Sequence, residues 1–125
     1  MLLDTDVLID HIRGHRRAQL YGASVSVVTR AELFAGRERE EPAVEALLGR
    51  LSEIDVTPDI ARRAGRIRRS TGLDIPDAII AATALKLDMT VMTRNRRHFE
   101  RVSGLTLRAP DEQAEARPAA KRSAD

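Results

Sequence analysis

Three carboxylates stand out by type and spacing. Asp4, Glu32 and Asp77 each fall where an apolar, strand-like run gives way to a helix-like run, and no sequence-local lysine or arginine accounts for all three. In a parallel sheet such handovers gather at one edge, where open α/β folds bind their ligands. Like charges brought together there repel, so the group is sustained either by a cation among them or by raised pKa values. A divalent metal is the simpler answer.

Each acid also has a purely structural reading. Asp4 follows Leu2-Leu3 and is placed as an ordinary helix N-cap. Glu32 closes a T-x-x-E capping box with Thr29. Asp77 lies in a first helical turn, where its charge complements the helix dipole. Taken singly these readings compete well; three such coincidences at successive strand ends favour a shared site.

The elements that must position these acids are legible in outline. Met1 to Leu3 is a short strand, followed by a helix from Asp4 to a stop at Gly14, with Val7, Leu8, Ile9 and Ile12 at helical spacing. Ser24 to Val28 is β-rich, and the capping-box pattern at Thr29 opens a helix through about Arg39. Val44, Leu47, Leu48 and Leu51 mark an amphipathic helix from Glu41, and Ile54 to Val56 a brief third strand. Thr57-Pro58 starts a helix that ends near Gly72. Its Ile60, Ala64 and Ile67 form an apolar stripe, with Arg62, Arg66 and Arg69 on another face. Pro76 to Asp88 has almost no polar face and reads as a central buried helix. Thr90 to Thr93 is the next strand, Arg94 to Arg101 a basic turn and short helix, and Leu105 to Leu107 a final edge strand. The segment from Pro110 lacks large apolar residues and reads as a mobile tail.

Composition narrows the class. A chain of 125 residues, 42% hydrophobic, suits one domain. With no cysteine it rests on neither disulfides nor a thiolate zinc site, and nothing in it resembles a membrane span or an export signal. The expectation is a soluble, cytoplasmic protein with no membrane association. Net charge is only +2, yet Arg62 to Arg101 holds ten Lys and Arg against four Asp and Glu, a stretch able to attract a polyanion. With Tyr21, Phe34 and Phe99 as the only aromatic residues, a broad base-stacking platform is not expected, and any nucleic acid would be held chiefly by its backbone.

Four landmarks, LLDTDVLID, TRAELFAG, PDAIIAATAL and VMTRNRRHF, in that order and spacing, resemble the PIN-domain ribonucleases, specifically VapC-type toxins of bacterial toxin–antitoxin pairs. The resemblance covers roughly Met1 to Pro110. It implies an α/β, PIN-like three-layer sandwich with a mainly parallel central sheet flanked by helices, residues 1–109 forming the nuclease domain and 110–125 a flexible tail. It implies a Mg²⁺- or Mn²⁺-dependent endoribonuclease that hydrolyses RNA phosphodiester bonds with a metal-activated water. Asp4, Glu32 and Asp77 take the family's acidic metal-binding roles, with Asp4 and Asp77 as main anchors and Glu32 binding directly or through water. Oxygen ligands without a His or Cys cluster suit such a hard ion. The family's fourth acidic position corresponds to Asn95, which brings no charge and leaves one or two metals open. Asp6 and Thr93 are expected to help through hydrogen bonds, and Asp74 is a weaker substitute acid. The resemblance also implies a VapB-like antitoxin and a homodimer; Leu33 and Phe34 are candidates to dock a partner helix, against core packing for at least one.

Among the histidines, His11, His15 and His98 lack triad or zinc spacing and read as surface or structural, with His98 able to join Arg94, Arg96 and Arg97 on RNA. Two rival functions remain. LLDTDVL also resembles the aspartyl nucleophile motif of haloacid-dehalogenase-like phosphatases, with Asp4 as nucleophile and Asp6 as acid/base, but the only lysines are Lys86 and Lys121 and no later Asp-Asp pair exists. The other rival is a PIN-like module that binds RNA or a partner without cutting, its acidic set left incomplete by Asn95.

Overall fold

The computed structural model describes residues 1–14, 20 and 22–110. His15, Tyr21 and the expected tail beyond 110 lie outside the described residues, whereas Pro110 itself is buried against the domain. Among the described residues, five short strands form one wholly parallel sheet: β1 (Leu2–Leu3), β2 (Ser24–Ser26), β3 (Ser52–Ile54), β4 (Val91–Met92) and β5 (Leu107–Arg108), in the order β3-β2-β1-β4-β5. Helices α1 (Thr5–Arg13), α2 (Val27–Phe34), α3 (Glu41–Leu48), α4 (Pro58–Thr71), α5 (Ile75–Leu87) and α6 (Arg96–Phe99) connect and cover them. The three-layer α/β expectation holds.

Strand alternation builds the layers, because successive side chains point to opposite sheet faces. Leu2 and Val91 enter one core with Ile60, Ala64, Leu73, Ile80 and Phe99 from α4 to α6. Leu3 and Met92 enter the other with Leu8, Leu33, Val44 and Leu48 from α1 to α3. Helix α5 is the central buried element expected: Ala78, Ile80, Ala81, Ala82 and Ala84 are essentially inaccessible. Its small side chains let it lie close against α4, which packs along it.

Helix ends follow the local code where a cap is unambiguous. Thr57 Oγ1 accepts the Ile60 N–H at 3.2 Å, and α1 and α4 stop at Gly14 and Gly72 in the left-handed region. Three elements, α2, β3 and β5, differ from the sequence reading. Helix α2 begins at Val27, with Ser26 as N-cap accepting the Val28 N–H at 3.1 Å, so Thr29 and Glu32 lie inside the helix rather than forming a capping box. It also ends at Phe34, before a 3-10 turn at Glu38–Glu40, rather than near Arg39. Strand β3 lies two residues earlier than the apolar run suggested, because pairing of Ser24 with Ser52 and of Ser26 with Ile54 sets its register. β5 shifts the opposite way, since the Val91 and Thr93 N–H groups bond to Thr106 and Arg108 carbonyls.

The order of strands reverses between β1 and β4: the chain runs outward through β2 and β3, then returns to β1's other side. The crevice at such a reversal is the default ligand position in an open parallel sheet. The residues that directly follow the paired ends Leu3 and Met92 are Asp4 and Thr93.

Candidate active site

Asp4 occupies the N-cap position of α1 with extended backbone, yet its side chain makes no capping bond. Instead its Oδ2 accepts the Thr93 hydroxyl at 2.8 Å, while its N–H donates to the Met92 carbonyl at 2.9 Å. The residue is only 4% exposed. Burial pushes its carboxyl up to about 7, the Thr93 hydrogen bond opposes this, and the charges of Asp6 and Asp77 raise it further. The structural N-cap reading of Asp4 therefore fails at the side chain: the carboxylate points across to β4.

Glu32 accepts the Thr5 hydroxyl at 2.5 Å, and Thr5 Oγ1 lies 3.0 Å from Thr29 Oγ1. Its pKa is raised, first by burial and then by Asp77 and Asp6, with Thr5 acting against the rise. Asp77, in the first turn of α5, meets His98 Nε2 at 2.9 Å. Burial raises it too, as do Asp6 and Asp74, while the His98 contact pulls it down. The chain thus brings the three predicted acids into one electrostatically coupled group, with exposed Asp6 acting on all of them. None is ion-paired to an arginine or lysine among the described residues.

The donor set fits a hard divalent ion. A buried carboxylate held by hydroxyl and backbone donors, with acidic neighbours and no cation, carries a repulsion that a metal would relieve. Among the described residues no three His, Asp or Glu side chains close around one point as a finished cage. That is compatible with Mg²⁺, which keeps several waters and takes only one or two carboxylates.

The remaining predicted residues separate. Thr93 is a junction, donating to Asp4 and accepting the Asn95 N–H at 2.9 Å. Asn95 stands at the same strand end, exposed, with no side-chain bond among the described residues. Asp74, the weaker substitute acid, is exposed and pairs with Arg68 at 3.2 Å. The basic set does not act as one: Arg94 is paired with Asp10 at 2.6 Å, whereas Arg97 is exposed and makes no side-chain contact among the described residues. Leu33 belongs to the core and Phe34 packs partly against it, so Leu33 is unavailable for docking. Lys86 pairs with Asp59 at 3.1 Å, at the end of α5 opposite Asp77, so no lysine among the described residues serves a phosphatase reading; Lys121 lies outside them. A shallow, open hollow lined by Arg37, Glu38, Arg39 and Pro42 shares no residue with the carboxylate group. No helix among the described residues is long and apolar enough to cross a membrane.

Sequence reasoning offered the Thr93 hydroxyl that bonds Asp4 but missed Thr5 on Glu32 and the His98 imidazole on Asp77. Thr5 was visible beside Asp4 in the DTD motif, and Thr29 one helical turn before Glu32, but only the fold brings Thr5, Thr29 and Glu32 together.

The sequence profile of the PIN domain matches residues 1–105. Ribonuclease VapC19 of Mycobacterium tuberculosis is 39% identical over 113 residues, covering 78% of this chain and 90% of the relative. Ribonuclease VapC1 of Methanocaldococcus jannaschii is 30% identical, covering 89% and 87%. Among solved structures, DNA-bound VapBC from Salmonella typhimurium superposes with a TM-score of 0.75 at 26% identity, over 86% of this chain and 96% of that one.

Proposed function

The chain belongs to the PIN-domain family, among its VapC-type ribonucleases, and from this we propose that it is the toxin of a VapBC-type toxin–antitoxin pair, a Mg²⁺- or Mn²⁺-dependent endoribonuclease centred on Asp4, Asp77 and Glu32. Its partners are then a VapB-like antitoxin, an RNA substrate and a second copy of itself. The single observation that supports the site assignment is that Asp4, Glu32 and Asp77 are all raised, chiefly by burial, with the charge of Asp77 acting on both Asp4 and Glu32 beside the β1–β4 reversal.

When bound, a divalent ion polarises a phosphoryl oxygen, makes a water more acidic and steadies the leaving oxygen. The protein's own groups supply position. Thr93 holds Asp4 at the β1–β4 boundary, and Asp77, at the start of α5, acts on it through its charge. Thr5 engages Glu32 Oε1, which leaves Oε2 to accept a proton from the attacking water. The water oxygen bonds to phosphorus, the bond to the ribose oxygen breaks, and that oxygen takes up a proton. Asn95, exposed at the rim, would coordinate or hydrogen-bond there, and exposed Asp6 adds its charge to the acids, with residues 1–109 as the catalytic domain.

Labelled structured RNA incubated with the purified protein tests the reading. Cleavage is expected with Mg²⁺ or Mn²⁺, to be lost with chelator and in Asp4→Asn and Asp77→Asn. Undiminished cleavage by both variants removes the proposal, and RNA binding without cuts at any metal concentration favours the non-catalytic module.

A further inference from the structure

The contacts of His98 exceed what a solvated turn or an RNA-facing residue requires. Its Nε2 lies 2.9 Å from Asp77 Oδ2, and its Nδ1 lies 3.3 Å from Arg101 Nη2. Guanidinium nitrogens only donate, so Arg101 requires the lone pair of Nδ1, which places the ring proton on Nε2, directed at Asp77. Arg101 is itself fixed: Nη1 donates to the Thr71 carbonyl at 2.7 Å and Nε to the His98 carbonyl at 3.4 Å. Thr71 is the last residue of α4, and fully buried Phe99 beside His98 anchors α6 in the core. His98 also meets the Phe99 ring edge-on, at 5.9 Å between centroids.

We propose that Arg101 and His98 form a clamp that orients the Asp77 carboxylate, leaving Oδ1 free for a divalent cation. Both ring nitrogens are committed, so His98 is neither a metal ligand nor a proton shuttle to substrate; it is a positioning residue acting through Asp77. The clamp ties the α6 region back to the first turn of α5 and to the α4 terminus, 21 and 30 residues earlier in the chain. Such partners of ligating carboxylates are worth roughly 10–100-fold in metal affinity. The inference rests on the proposed metal centre.

The test is direct Mn²⁺ binding, read by calorimetry or by the electron-spin signal of free Mn²⁺, on folded full-length variants without RNA. His98→Ala is expected to weaken binding about tenfold or more. The amide nitrogen of glutamine falls near imidazole Nε2 and that of asparagine near Nδ1. His98→Gln should therefore restore most of the affinity and His98→Asn little, a split that a merely structural role would not produce. Arg101→Ala should weaken binding as well, with little added loss when His98 is already alanine. Wild-type affinity in His98→Ala, or equal behaviour of the Gln and Asn variants, overturns the clamp. If His98→Ala does not fold, the Gln and Asn pair decides. If wild type binds no Mn²⁺, or Asp77→Asn binds it as well as wild type, the metal centre itself is wrong and the clamp falls with it. Asp77-dependent binding that ignores His98 removes the clamp alone.

Discussion

The Thr93 hydroxyl donates to the buried Asp4 carboxylate at 2.8 Å across the boundary between β4 and β1, joining residues 89 positions apart. Thr93 also accepts the Asn95 N–H, so one hydroxyl sets both the acid and the turn into α6. Thr93→Val keeps the shape but removes both functions. An unpaired buried polar group costs about 1–3 kcal/mol. Urea unfolding at pH 8 should show a loss in that range, and Mn²⁺ titration a weaker site. Unchanged stability would show that water replaces the hydroxyl.

Asp4 gives the metal-free protein a pH dependence of definite sign. Its carboxyl rises from 3.8 to about 7 on folding, so between those values the folded state binds more protons than the unfolded. The resulting stability is fully present below about pH 4 and is lost as pH rises through about 7. Glu32 and Asp77 are raised as well and act in the same direction. The thermal midpoint without metal should fall from pH 5 to pH 8. Asp4→Asn should flatten the fall and melt higher than wild type at pH 8, although it is expected to be inactive. Mg²⁺ should also reduce the slope, by favouring the ionised carboxylates, and its binding near pH 6.5 should release protons. A melting curve independent of pH in wild type would remove this account of Asp4.

The legible parts were those dictated by local periodicity and by strong caps. Thr57-Pro58 and Gly72 bracket α4 in sequence as they do in space, and the apolar run of α5 could only be a buried helix. The acids were legible because strand-to-helix handover is itself a sequence feature. What failed depended on partners distant along the chain. Glu32 looked like a capping box because T-x-x-E is common at helix starts, but Ser26 had already capped α2 and freed Glu32 for Thr5. β3 was displaced because Ser52 and Glu53 are exposed on an edge strand, where pairing with β2 rather than hydrophobicity decides. Arg94 looked equivalent to Arg97 until Asp10 on α1 took it.

Phe99 couples the core to the site. It is 1% exposed, adjoins His98, and packs with Leu2, Leu73 and Val91. Phe99→Leu keeps an apolar side chain but leaves space, at a cost of roughly 1 kcal/mol. Because α6 is a single turn with little stability of its own, the loosened anchor should also let His98 drift. The expected outcome is a modest fall in unfolding free energy accompanied by weaker Mn²⁺ binding. Val44→Ala, in the other core, should lower stability without moving metal affinity. Equal effects of the two variants on metal affinity would mean that general loosening, not the α6 anchor, is responsible.

Arg94 and Arg97 should differ sharply although they lie three residues apart. Arg94 holds Asp10 of α1 at 2.6 Å and its charge is partly spent there, while Arg97 is exposed with no side-chain contact among the described residues. A free arginine that meets RNA phosphate releases counterions on binding, at about 0.7 per phosphate for single strands. Arg97→Gln should therefore weaken RNA binding and reduce the slope of log affinity against log salt by roughly that amount. Arg94→Gln should mainly lower stability by breaking the tie to α1, with little change in slope. Binding measured by fluorescence anisotropy from low to moderate salt, in an Asp4→Asn background that prevents cleavage, separates the two. A larger slope change in Arg94→Gln than in Arg97→Gln would reverse the assignment and make the Asp10 pair one that opens to receive RNA.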